Sequence, residues 1–200
     1  MIPDREYVFA SSFIKASEGK GTPAERLTRF KEAPDSAALR AAVSEVFGVS
    51  TENPYDEAVL SAVNLVLEAI PEKELVFPLL YKYDCANIKT AVKCAIRGIY
   101  PEGMLYACGT VPADTVTGAA ESSDFRRIPG EMGKAAKEAL EIYRKTGEVR
   151  AIDLTLDRAC FADMKDAAEK SGCELVKNIV KIRADGVNFL TAVRIAAEGH

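Results

Sequence analysis

The sequence has no tryptophan and a single histidine, His200, at its end. A zinc centre gathers about four soft ligands, and the five cysteines (Cys85, Cys94, Cys108, Cys160 and Cys173) include no C-x-x-C pair. A structural zinc site is therefore not expected. An odd number of scattered thiols fits small buried apolar residues in a reducing compartment. A cysteine nucleophile would want a base beside it, and His200 at a terminus is badly placed for that. No apolar run approaches the roughly 18 residues needed to cross a bilayer. The opening MIPDREYVFASSF lacks the basic-then-apolar order of a signal peptide, which leaves the cytoplasm as the expected compartment. Basic charge is not in excess either. The net charge of −4 argues against nonspecific binding to nucleic acid.

What the chain does have is helical periodicity from end to end. Tyr7 to Ser17 reads as a first helix, and Thr22-Pro23 as the cap and first turn of a second. Asp35 or Ser36 can cap a third that ends at Gly48. Asp56 to Ile70 carries Val59, Leu60, Val63, Val66, Leu67 and Ile70 at the spacing of a bundle helix. A helix pair is expected next, over 74–81 and then 84–97, with Gly98 as its C-terminal stop. The stretch 109–129 is the least periodic and reads mostly as connection. A polar helix follows over 131–145. Only 148–154 alternates as a strand would, and it is short. The fold class predicted is all-α.

The chain also resembles itself at an offset of 101. YDCANIKTAVKCAIRG at 83–98 lies over ADGVNFLTAVRIAAEG at 184–199. Asp84, Asn87, Thr90 and Gly98 fall on Asp185, Asn188, Thr191 and Gly199. The register continues upstream without a gap, Asp56 on Asp157 and Leu79 on Val180. A shared register over several helices implies two copies of one helical unit, divided here as 1–105 and 106–200. Within the repeated helix, Asp84 and Asp185 are placed to accept first-turn N–H groups as caps. Ile88, Ala91, Val92, Ala95 and Ile96 form a packing stripe. Asn87 and Asn188 sit at its margin, either as satisfied structural amides or as functional contacts.

These segments bring a family into view. KYDCANIKTAVKCAIRG resembles the Asp-x-x-Asn helix of the AC39 family, whose members are subunits of the archaeal-type and vacuolar rotary ATPases. LYACGTVPAD is similar to that family's glycine-containing connector. IDLTLDRACFADMKDAAEKSG resembles the element that opens its next repeat, and YVFASSFIKASE and FKEAPDSAALRAAVSEVFG resemble its first helices. The resemblance implies a funnel-like, all-helical protein of three pseudo-symmetric helical-bundle units. Such a protein would be a non-catalytic socket joining the central-stalk subunits to the membrane proteolipid ring, without nucleotide or cofactor. Residues 1–200 hold two such units, as a fragment or a divergent short form would. One departure is Ala184, where the family has an aromatic.

Other readings compete. Gly-Glu-Met-Gly-Lys at 130–134 echoes a phosphate loop but has Ile128 where its first glycine belongs and Ala135 where a hydroxyl should hold magnesium. Asp163 and Asp166 read as solvated helix charges rather than an acid–base dyad. A generic helical adaptor is the alternative class, although solenoid units run to only about 20–50 residues. Lys89, Lys93 and Arg97 form a basic line, either a solvated face or an edge meeting an acidic stalk surface.

Overall fold

The structure, a computed structural model, describes residues 7–18 and 24–197. Among them stand nine α-helices and no strand. The chain divides into two compact units, Met1–Lys73 and Glu74–His200. This is a division by contact; the sequence repeat at 105/106 is a separate matter of likeness between segments.

The first unit contains α1 (Tyr7–Glu18), α2 (Ala24–Lys31), α3 (Ser36–Phe47) and α4 (Pro54–Ala69). The capping expected of the Thr22-Pro23 pair lies outside the described residues. Asp35 does cap α3, its carboxylate accepting from the Ala38 N–H at 2.8 Å. Gly48 ends that helix in the left-handed conformation, φ 66°. Pro54 occupies the first turn of α4, where its missing N–H costs nothing. Helices α1 and α3 both pack on α4, and α2 packs on α3. The apolar stripe of α4 is only half-buried. Polar links supplement it: Tyr7 donates to Glu72 at 2.6 Å, and Arg29 forks onto Glu45 at 2.9 and 3.1 Å.

The second unit contains α5 (Phe77–Arg97), α6 (Ala113–Ser122), α7 (Gly130–Thr146), α8 (Val149–Ser171) and α9 (Glu174–Ala197). Its core holds Ile88, Val92, Val116, Ile152, Leu156 and Met164, each 1% exposed or less. Each such side chain contributes about 1.5–3 kcal/mol when withdrawn from water. Small residues on α7 (Gly133, Ala135, Ala136 and Ala139) line its buried side, and α8 packs closely along it. Cys85, Cys94, Cys108 and Cys160 are buried and Cys173 half-buried, in keeping with their reading as small apolar residues.

Three local expectations change. The helix pair over 74–97 is one helix, α5, so Asp84 lies in its interior rather than at its start; Asp185 likewise sits midway along α9. The connection at 109–129 contains α6, which Gly118 does not interrupt because Val116, Thr117, Ala119 and Ala120 are buried along it. The alternating run 148–154 is the N-cap and about the first one and a half turns of α8, with Ile152 fully buried.

Candidate functional site

A helix interior normally has no unpaired N–H for a carboxylate, so buried Asp84 must find its donors elsewhere. It finds them in the connector that follows α5. The Thr110 hydroxyl donates to Asp84 Oδ2 at 2.6 Å and the Val111 N–H to Oδ1 at 2.9 Å. One turn on, Asn87 pairs with a single residue of the same connector. Its Nδ2 donates to the Tyr106 carbonyl at 2.9 Å, and its Oδ1 accepts from the Tyr106 N–H at 2.8 Å. Asp84 is fully buried and Asn87 is 1% exposed. Together they form a latch that seats residues 106–111 on α5. Burial holds the Asp84 carboxyl above its ordinary range, offset in part by the bonds from Thr110 and Val111.

The latch explains Gly109. A Cβ there would stand 2.4 Å from Asp84 Oδ1, so only glycine lets the connector lie this close. Above it, the Tyr83 and Tyr106 rings meet at 5.3 Å between centroids, and Lys82 lies 4.4 Å from the Tyr83 centroid. The reading of Asn87 as a satisfied amide matches this geometry. Its partner, the Tyr106 backbone, is invisible in sequence.

A second buried acid works differently. Asp163 of α8 accepts from the Glu131 N–H at 2.7 Å and the Met132 N–H at 2.9 Å. These are first-turn donors of α7, so Asp163 caps α7 from another helix. It is 9% exposed, which corrects its reading as a solvated helix charge; Asp166, by contrast, is exposed and pairs with Lys170 at 2.6 Å. The same contact disposes of the phosphate-loop echo. The backbone donors at 131 and 132, which a phosphate would need, are occupied by a carboxylate. Gly133 serves a different purpose, since a Cβ there would stand 2.2 Å from the Ile128 carbonyl oxygen.

The basic line is largely spent within the molecule. Lys89 pairs with Asp157 and Lys93 with Asp153, both at 2.6 Å, tying α5 to α8. Arg97 alone of the three is exposed. Thiol chemistry has little support: Cys85 donates toward the Leu156 carbonyl at 3.6 Å and Cys160 toward that of Tyr81 at 3.6 Å. Its contact with Cys160, together with burial, holds the Cys85 thiol well above its ordinary range, which disfavours its thiolate.

The second set of repeat residues is placed otherwise. Asp185 and Asn188 are exposed on α9, and Thr191 donates back to the Val187 carbonyl at 2.8 Å. Thr90, its counterpart, is half-buried, and Gly98 ends α5 with φ 66°. Gly199 lies outside the described residues. Sequence reasoning missed Tyr106, Thr110 and Val111 as partners in the latch and misread Asp163. The Gly-Thr-Val-Pro string was a visible signal for the connector, but nothing pointed it at Asp84. Among the described residues, no group of three or more His, Cys, Asp or Glu side chains is gathered as a metal site would require.

The family model described as ATP synthase (C/AC39) subunit matches residues 50–200, which takes in α4 through α9 and the whole latch. No curated protein and no solved structure matches the chain.

Proposed function

The chain belongs to the ATP synthase (C/AC39) subunit family, and from that premise we propose that it acts as the non-catalytic socket of a V/A-type rotary ATPase. In this role it links the central-stalk subunits to the membrane proteolipid ring, and so couples ATP hydrolysis or synthesis to ion transport. It works at the cytoplasmic side, peripheral to the membrane; no helix among the described residues is long and apolar enough to cross one. The family match carries the reading. Support comes from the latch, whose buried side-chain polar atoms are all bonded to the connector, three of them to backbone and one to the Thr110 hydroxyl. A part that transmits torque needs fixed connections between helices, and a buried, fully bonded polar pair provides one. The two sequence units, 1–105 and 106–200, are proposed as related modules of that socket. In line with this, a shift of 101 carries α4 onto 155–170 within α8, and α5 onto 178–198, over α9.

Of the three cations considered for stalk contact, Lys89 and Lys93 are engaged by α8. Arg97 is therefore the residue proposed to meet the stalk. The test is capture of this chain by the purified central-stalk subunits of its own organism's rotary ATPase. Salt-sensitive, stoichiometric capture, weakened severalfold by Arg97→Glu, is the expected result. Failure of capture at low salt would remove the socket role and favour a generic helical adaptor.

A further inference from the structure

Helices α1 and α3 flank α4 without covering it, and a groove of about 560 Å³ is left open along it. The floor of the groove is apolar: Phe13 of α1, Val49 of the turn after α3, and Leu60 and Leu65 of α4, all half-buried. Along its length runs one face of α4, on which Glu57, Ser61, Asn64 and Glu68 recur at helical spacing. The two carboxylates stand about 16 Å apart along the helix axis. No lysine or arginine among the described residues lines the groove. The sequence around it is equally one-sided: between Arg40 and Lys73 the chain carries six carboxylates and no cation. Glu57 is fixed in place, accepting from the Ser50 hydroxyl and from the Ser50 N–H at 2.8 Å. Those bonds, the hydroxyl's foremost, hold its carboxyl below the ordinary range, so it stays ionised at neutral pH. Glu68, at the other end, is exposed.

We propose that this groove receives a basic amphipathic helix of a partner polypeptide. Its shape argues for a helix, because a trough running beside α4 is the space that a further bundle helix fills. Packing there would cover the half-buried stripe of α4. The apolar floor calls for a row of large apolar side chains on the occupant. The carboxylates at the two ends call for lysine or arginine at the border of that row, spaced about three turns apart, to meet Glu57 and Glu68. An acidic or neutral occupant would leave both carboxylates desolvated without a partner, which selects against it. The same charge excludes an anionic membrane surface and nucleic acid. The proposal goes beyond the socket reading and does not rest on it, since it uses no residue of α5 and no rotary-ATPase subunit.

Fluorescence anisotropy tests this on the full chain with a labelled synthetic helical peptide of about 18 residues, long enough to span the groove. The peptide carries a leucine row bordered by two lysines about three turns apart, and a twin carries glutamates in their place. The lysine peptide should bind at least about tenfold more tightly than the twin, and more weakly as salt is added. Glu68→Gln should weaken its binding about threefold, the scale of an exposed ion pair, and Glu68→Lys about tenfold. Ser61→Arg, which sets a cation in mid-groove, should act as Glu68→Lys does. Both positions are exposed, so neither change threatens folding. Hydrogen exchange over 57–68 should slow when the lysine peptide is added. Equal binding of the two peptides, or binding indifferent to both positions, would overturn the proposal. So would no binding, the result if another part of this chain fills the groove. Protection of 57–68 that grows with protein concentration in the absence of peptide would overturn it too, because a second copy would then be the occupant.

Discussion

Replacing Asn87 with aspartate alters one group and leaves the shape of the latch intact. The amide donates to the Tyr106 carbonyl and accepts from the Tyr106 N–H, at 2.9 and 2.8 Å. An ionised carboxylate keeps the acceptor but sets a second oxygen against that carbonyl, in a site 1% exposed. A protonated carboxyl restores the donor. Two net hydrogen bonds amount to about 2 kcal/mol, which is the loss expected of Asn87→Ala at any pH. An uncompensated buried charge adds to this, so Asn87→Asp near neutral pH should lose about 3–5 kcal/mol. The folded state favours the protonated form of the new acid, whose proton affinity therefore rises on folding. Its stability contribution is present at and below the ordinary carboxylate range and is lost as pH increases. Urea denaturation followed by far-ultraviolet circular dichroism, with all three proteins at about pH 4 and about pH 7, reads the difference directly. At the acid end Asn87→Asp should lie within about 1 kcal/mol of the parent, while Asn87→Ala stays down. Equal losses for both variants at both values would refute the two-bond latch.

Gly133→Ala should cost about 3 kcal/mol, because its Cβ would meet the Ile128 and Phe125 carbonyl oxygens at 2.2 and 3.0 Å, which are backbone atoms unable to turn aside. Gly118→Ala, with nothing within 4 Å, is the paired control and should be stabilising in thermal melts; similar losses for the two would show that the 125–128 loop does not lie on α7. Burial holds Asp84 above the ordinary carboxylate range, so its contribution is fully present below that range and declines as pH rises. Asp84→Asn should therefore gain on the parent between about pH 4 and about pH 7 in melting temperature; parallel curves would contradict the assignment.

Much of the local structure was legible because its causes are local. Asp35 ahead of α3, Gly48 and Gly98 after α3 and α5, and the stripe of α4 are read from neighbours within a turn. The misreadings have a common origin. Asp84 looked like a cap because carboxylates usually find N–H groups at helix starts, yet its donors come from 26 and 27 residues away. Asp163 looked solvated because its own helix is polar, yet its donors belong to α7. Helix α6 was missed because its weak periodicity and Gly118 are outweighed by burial against the rest of the unit.

Sequence alone therefore determined the fold class, the helix stops, the repeated Asp-x-x-Asn pattern and the family, since periodicity, capping and motif are properties of near neighbours along the chain. Tertiary structure decided which of two similar helices is covered. Asp84 and Asn87 are buried by a connector, while Asp185 and Asn188 are exposed, although the residue types are the same. The reason is physical: a buried polar group is defined by its partner, and the partner of a side chain on one helix is backbone that only folding brings to it.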